Sequence, residues 1–373
     1  MLQILSGLHR GGIETFIMNV FRNIDRTQVQ FDFLLTFPGG DYEHEARELG
    51  GTLYYIPVRS SGIKAFHKSL DDFFRIHGKE YAAVHQHVSS LSSITALHYA
   101  KKYGIPVRVL HSHSSSIGEV GRDCYKPLHY ILHNLSKPLV HSYATVYLGC
   151  SDKALKWLFG GTGVYRKSEM IKNGIKLADY VFSQEKRTAV RASFGLKDEI
   201  VIGNVGRFDK VKNHVFLIKI FAKILERNPE ARLLLVGDGL LRPEIEKEAR
   251  EMGIIDNVIM AGLRNDVSHL LSAMDVFVMP SLYEGLPLAL VEAQAAGLPI
   301  VISNRISGDV RLSGNVDVVS LHESPELWAE HVLSALKNTE RTDTSQLIDS
   351  CGFGIETTVN RLMDLYLNNE ARQ

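Results

Sequence analysis

The chain has 373 residues, and its 42 Lys and Arg are matched by 42 Asp and Glu, giving a formal charge of zero with the 16 histidines neutral. A balanced charge excludes a broad nucleic-acid surface, which needs a basic face, and the length exceeds what one ordinary core fills, so two domains are expected. No apolar run approaches the roughly 18 residues that a membrane-crossing helix needs.

Short apolar strands alternate with amphipathic helical segments along the chain, which predicts an α/β protein with parallel sheets. The opening MLQILSGLHRGG has no charged stretch followed by a long apolar core, so no secretory leader is expected and the chain starts inside its first strand. In the first half, strands are predicted at 2–5, 31–35, 52–56, 83–87, 107–111 and 145–149, with helices such as 14–21, 66–76 and 93–102 between them. The pattern changes over near 167–179, where IKNGIKLADY combines a strand end with an Asn-Gly turn. It restarts with strands at 200–205, 233–236, 258–260, 276–279 and 300–303, and helices at 215–227, 244–252 and 288–296. A last helix is predicted over 355–367. The expected division is 1–170 and 171–353, with 354–373 as a terminal helix. Cys124, Cys150 and Cys351 are odd in number and far apart, without metal-type pairing, and fit a reducing cytoplasm.

In open parallel sheets ligands bind beyond the carboxyl ends of the strands, and the polar motifs cluster there. The run SLYEGLPLALVEAQAAGLPIV carries Glu284 and Glu292 eight positions apart. It leaves a strand, turns at Gly285 and enters a helix near Pro287, where a missing N–H costs nothing because that donor would be an orphan. Gly297 and Pro299 then stop the helix. The first-turn amides of Leu288 and Ala289 make an anion site, with one carboxylate on either side to accept hydroxyl hydrogen bonds. A diphosphate flanked by hydroxyls describes a sugar nucleotide; a buried helix with two solvated acids is the alternative. GNVGRFDKVKNH puts Arg207 and Lys212 five apart in a glycine-containing loop before a helix. They suit a diphosphate, Arg by its planar fork and Lys as a point charge, unless they are merely two solvated cations. VGDGLLRPE has Arg242 where a dinucleotide fingerprint would need its third glycine, which favours a tight turn over a nicotinamide site. In GLHRGGIET, Gly11 and Gly12 let backbone approach a ligand closely, or simply form a turn.

The histidines come as His85-x-His87 and His111-x-His113, each pair on one face if its strand runs through it. A zinc hydrolase has to be weighed, but no nearby acid shows ligand spacing. His113, which opens a polar loop of three serines, is read instead as a cleft residue in contact with substrate. Arg122, Lys126, His129, His133 and Lys137 recur at intervals of 4, 3, 4 and 4, one helix face, beside Tyr125, Leu128, Leu132 and Leu135. Such a face suits an anionic membrane or a lipid phosphate, or is a solvated stripe. Pro127 and Pro138 are expected to interrupt this helix. No D-x-D stands in the chain, which favours cationic side chains over Mg²⁺ at a diphosphate.

These motifs resemble the retaining glycosyltransferases of family 4, which have the GT-B fold. The second half carries the likeness most closely, in GNVGRFDKVKN, LLLVGDG, VIMAGLRNDV and MDVFVMPSLYEGLPLALVEAQAAGLPIVIS, the last with the family's E-x7-E signature. The first half is similar through RGGIET, VRVLHSHSSS, ATVYLGCSDKA and IKNGI, in the style of enzymes that build bacterial capsular or exopolysaccharide repeats. SGDVRLSG departs from the family in lacking its Pro-Glu, although Asp309 is nearby.

The resemblance implies two Rossmann-like domains facing across a cleft, the first for acceptor and the second for nucleotide sugar, with the last helix returning to the first. It implies Arg207 and Lys212, with the Leu288 and Ala289 amides, on the donor diphosphate. It further implies Glu284 and Gly285 at the donor sugar, Glu292 on the ribose, and Leu263 and Arg264 at the base. Gly12 would lie near the diphosphate and His113 near the reacting sugar. A UDP-sugar donor, a glycan or polyprenyl-diphosphate-linked acceptor, no metal or other cofactor and no nucleic acid follow as expectations. The protein is expected in the cytoplasm, with peripheral membrane contact through Arg122, Lys126 and Lys137.

Overall fold

A computed structural model describes residues 1–114, 126–337 and 340–367. The chain forms two compact units, Met1–Ile175 together with Ile355–Gln373, and Lys176–Gly354. The crossover thus falls at 175/176, beside the Asn-Gly turn.

The first unit holds β1 (Leu2–Ile4), β2 (Asp32–Leu35), β3 (Leu53–Tyr55), β4 (Ala83–Val88), β5 (Val107–Ser112), β6 (Val146–Gly149) and β7 (Glu169–Met170). They make one parallel sheet in the order β3-β2-β1-β4-β5-β6-β7. β4 reads AVHQHV and is buried along its whole length, as a central parallel strand covered on both faces must be. Alternation divides it: Val84 and Val88 enter a core with Phe66, Leu70, Phe74 and Leu97 on one face. Ala83, Val107 and Val109 enter a second core with Phe16, Phe21 and Phe31 on the other. His85, His87 and His111 share that second face by parity, and so does Gln3, whose register partner is His85.

The helix Gly12–Asn23 covers this polar stretch of sheet, and so does the C-terminal helix Ile355–Leu367, which packs Ile355, Val359, Leu362 and Tyr366 into the same core. The terminal helix is held at its sides by a bidentate Arg361–Glu169 pair (2.5 and 2.7 Å) and by the Tyr366 hydroxyl at 2.7 Å from His85 Nδ1.

The second unit repeats the plan with β8 (Val201–Val205), β9 (Arg232–Val236), β10 (Val258–Gly262), β11 (Val276–Met279), β12 (Ile300–Ser303) and β13 (Val316–Val319), ordered β10-β9-β8-β11-β12-β13 and wholly parallel. Apolar residues of β8, β9, β11 and β12 feed two cores, one around Phe221 and Trp328, the other around Leu271, Phe277 and Leu290. Asp275, just before β11, takes Arg187 and Arg191 on its two oxygens at 2.6 Å each, fastening the helix Gln184–Ser193 across the sheet. One strand was not predicted, and another was read only as a strand end before the Asn-Gly turn. β7 is only two residues long, and β13 carries Asp317 in mid-strand, which pairs with His331 and breaks the apolar run.

Candidate functional site

The strand ends of the second unit are drawn together by backbone rather than side chains. Gly206 N donates to Val236 O, Phe208 N to Asp238 O and Gly237 N to Gly262 O, each at 2.9 Å, so the loops after β8, β9 and β10 stack directly. Gly237 has φ +139, and a Cβ there would lie 2.0 Å from Gly206 O; the G-x-G turn is therefore a packing requirement. Asp209 Oδ1 then accepts from Lys212 N at 3.2 Å and caps a short 3₁₀ turn. Asn213, left-handed at φ 58, donates from Nδ2 to Pro280 O, and Leu282 N donates to Val211 O at 2.8 Å. These two bonds tie the lysine segment to the loop that follows β11.

The consequence is that Lys212 Nζ donates to Glu284 Oε1 at 2.7 Å, with side chains only 18% and 9% exposed. So sheltered a pair loses little to solvent screening, unlike surface pairs, whose net worth is near zero. Arg207 stays 76% exposed and is steadied by Asp209 Oδ2 at 2.9 Å, the oxygen its cap does not use. The helix Leu288–Ala295 begins at Pro287, and its first bonds run from Leu290 N and Val291 N to Pro287 O. The amides of Leu288 and Ala289 precede them and retain the anion-binding character of a helix N-terminus.

Glu292 stands one turn further on. Burial pushes its carboxyl pKa up, and the Tyr180 hydroxyl, donating at 2.9 Å to Oε1, opposes that rise. Sequence reading missed Tyr180, because nothing local links positions 112 apart. It also missed Gln294, whose buried amide accepts from Leu312 N and Ser313 N and donates to Leu290 O and Val310 O, locking the SGDVRLSG loop to this helix. Leu263 is exposed, and Arg264 grips Asp266 through two bonds (2.8 and 2.6 Å). A Cβ added at Gly285 would meet nothing within 4 Å, so space beside Glu284 is open.

Gly12 and His113 belong to the first unit. Gly12 opens the helix Gly12–Asn23 and, like Gly285, has free space where a side chain would be. His113 lies just past β5, inside a cluster with the other three histidines. His87 Nδ1 is 2.8 Å from His113 Nε2, and His87 Nε2 is 2.8 Å from Gln3 Oε1. His85 Nε2 is 3.1 Å from His111 Nδ1. The edge of Phe16 closes the cluster against His87 and His111. Burial lowers all four pKa values, His113 to about 3, so the cluster is neutral at physiological pH. Nitrogens of His85, His87 and His111 lie within 4.8 Å of one another and can ligate an ion, but an ion would have to displace hydrogen bonds they already make.

The basic stripe requires correction. Arg122 lies outside the described residues, as does the side chain of Lys126. The rest of the stripe faces protein rather than solvent. His133 is fully buried, stacked on Trp157 at 4.1 Å, and its Nδ1 accepts from Leu91 N. His129 Nδ1 approaches Ser92 Oγ at 3.3 Å, and Lys137 Nζ donates to Gly160 O at 3.1 Å. Leu128, Ile131, Leu135 and Leu139 are instead 45–67% exposed. Pro127 sits in the first turn of the helix Lys126–Ser136 and does not break it; Pro138 falls in the 3₁₀ turn that follows. Among the described residues no helix is long and apolar enough to cross a membrane.

Comparison with known proteins bears on both units. The family model described as glycosyl transferases group 1 matches residues 186–346. EpsF of Bacillus subtilis (strain 168), a protein named as a glycosyltransferase, is 36% identical over 374 residues, covering 98% of this chain and 96% of its own. The Escherichia coli UDP-Gal:alpha-D-GlcNAc-diphosphoundecaprenol alpha-1,3-galactosyltransferase is 27% identical, covering 99% and 95%. The crystal structure of Anabaena Alr3699/HepE in complex with UDP-glucose superposes with a TM-score of 0.77 at 20% identity, covering 97% of this chain and 98% of that one. That likeness is one of fold, the two Rossmann-like domains of GT-B. With a relative this similar along almost its whole length, the chain belongs to the glycosyl transferases group 1 family and is a glycosyltransferase.

Proposed function

We propose that the protein is a retaining, metal-independent glycosyltransferase of family 4. It moves a sugar from a UDP-sugar to a glycan or polyprenyl-diphosphate-linked saccharide during synthesis of a bacterial surface polysaccharide. The observation that carries this reading is the sheltered Lys212–Glu284 pair beside the mouth of the helix Leu288–Ala295. A cation, free helix amides and a hydroxyl-accepting carboxylate in one place match the parts of a sugar diphosphate. The UDP-Gal and diphosphoundecaprenol in the name of the E. coli relative, and UDP-glucose in the HepE crystal, support the donor and acceptor classes.

In this reading the bond from the anomeric carbon to the diphosphate oxygen breaks as the acceptor hydroxyl oxygen bonds to the same face. The hydroxyl proton passes to the departing phosphate oxygen. Arg207, Lys212 and the Leu288 and Ala289 amides meet the charge that grows on the diphosphate, each preorganised donor being worth on the order of 3 kcal/mol. Glu284 aims the Lys212 ammonium and accepts from donor-sugar hydroxyls, next to the opening left by Gly285. Glu292, steadied by Tyr180, takes the ribose, Leu263 and Arg264 lie toward the base, Gly12 is proposed near the diphosphate and His113 at the reacting sugar. No carboxylate is assigned as nucleophile.

Calorimetry with UDP tests the donor site: Lys212→Ala is expected to weaken binding at least tenfold, and unchanged affinity would overturn it. Transfer is expected to persist in excess EDTA, with the donor's anomeric configuration kept in the product.

A lipid-linked acceptor would be met at the cytoplasmic face of the membrane, and this reading puts the protein there. Contact through a basic face of Arg122, Lys126 and Lys137 is supported by none of the described side chains, Lys137 being tied to Gly160. The apolar ridge Leu128, Ile131, Leu135 and Leu139 takes over that role in our reading. Its side chains enter the leaflet while the histidines of the same helix stay turned into the protein.

A further inference from the structure

The four clustered histidines raise a question of proton direction. A neutral imidazole has one N–H, so in a chain of imidazoles one fixed end sets every tautomer. Gln3 Oε1 can only accept, so His87 Nε2, 2.8 Å away, carries the proton and donates. His87 Nδ1 is then a bare acceptor, and His113 Nε2, at 2.8 Å, must be the N–H that donates to it. His113 Nδ1 is left with a lone pair and has no partner among the described residues.

A second run in the cluster begins at the Tyr366 hydroxyl, which lies 2.7 Å from His85 Nδ1, with His85 Nε2 3.1 Å from His111 Nδ1. The His87–His113 chain runs in a direction set by the Gln3 amide, on a strand 84 residues from His87. A turn of that amide by 180° would reverse this chain and put the proton on His113 Nδ1.

We infer that Gln3 and His87 are positioning residues that hold His113 in the Nε2–H tautomer, presenting a bare Nδ1 as a hydrogen-bond acceptor for a hydroxyl of the reacting sugar. The inference rests on the proposed contact of His113 with substrate. His113 so held orients a hydroxyl and supplies no proton. Its ring cannot turn over without breaking the His87 bond, and Phe16, with ring centroids at 5.4 Å, packs against it.

Side-chain ¹⁵N spectra of the full-length protein, with His113 assigned through His113→Gln, read the tautomer directly and require no altered Gln3. An unprotonated Nδ1 and a protonated Nε2 are expected, and the reverse overturns the inference. Gln3→Leu is expected to lower kcat at least tenfold, with KM for the UDP-sugar within twofold and a mixed His113 tautomer in the spectrum. Gln3→Glu keeps an acceptor on His87 Nε2 and is expected to recover most of the rate. Unchanged kcat in Gln3→Leu, or equal losses in Gln3→Leu and Gln3→Glu, sinks the positioning role. Full activity in His113→Ala overturns the substrate contact itself, while the wild-type spectrum still decides the tautomer.

Discussion

The two units keep their polar residues under opposite conditions. In the second, Arg207, Lys212 and Glu284 stand on loops beyond the strand ends, beside the first-turn amides of Leu288 and Ala289, and the charges are met by neighbours rather than removed. In the first, His85, His87, His111 and His113 lie on or at the end of central strands, under two helices, and burial has stripped them of charge. The same strand-helix alternation thus supports a charged site where loops can bend toward one another. It supports a neutral relay where the sheet face is covered. The difference is one of dielectric, since a sheltered ion pair at a strand end keeps its charges and an imidazole inside a core does not.

Acid breaks this contrast most strongly. The first unit holds five histidines whose pKa burial lowers, His133 to about 4 among them, whereas the second holds His214, also lowered to about 4. Their folded pKa values lie below the unfolded value of about 6.5, so the unfolded chain takes up protons first as pH falls. Stability is full above about pH 7 and drops below it, each such histidine adding up to ~1.4 kcal/mol per pH unit. The first unit is therefore expected to unfold at higher pH than the second. Fluorotryptophan resonances of Trp157 and Trp328, one in each unit, report the order, and simultaneous loss would erase the distinction.

Next in size is the ion pair. Glu284→Ala strands Lys212 and removes a hydroxyl acceptor, so kcat/KM is expected to fall about a hundredfold, ~3 kcal/mol. Its melting temperature should change far less than its rate. A large stability loss with ordinary kinetics would make the pair a structural device.

A smaller effect is expected at the exposed ridge. Ile131→Glu with Leu135→Glu should lower sedimentation with phosphatidylglycerol-containing vesicles by tenfold or more, since each buried aliphatic side chain contributes ~1.5–3 kcal/mol. Wild-type binding that persists in high salt fits insertion of the ridge; release by salt alone would return the contact to electrostatics. Smallest is Tyr180→Phe. Loss of one hydrogen bond to Glu292, ~1 kcal/mol, should weaken UDP binding less than tenfold by calorimetry, and the carboxyl pKa should rise further.

Much of this was legible in the residues. β5, β8, β9, β11 and β12 appear as largely apolar runs, and Glu284, Lys212 and the Pro287 helix start lie in local motifs whose spacing carries their geometry. What escaped was set by neighbours distant in sequence. The helix Lys126–Ser136 has an apolar and a histidine-rich face, and periodicity finds both, but not which one meets the protein. Trp157 and the Leu91 amide decided that by taking His133. The acid-interrupted β13 gave too weak a pattern to be seen, and two-residue β7 showed only as a strand end before the Asn-Gly turn.

The sequence by itself determined the family, the parallel α/β plan and the strand-end motifs, because hydrophobic period, turn residues and close-spaced charges act over a few residues. Only the tertiary structure decided which side chains share a hydrogen bond. Sheet order places β1 beside β4, so Gln3 meets His87, and the returning helix sets Tyr366 on His85 across 281 positions. Partners of that kind depend on which strands and helices become neighbours, and no local period records it.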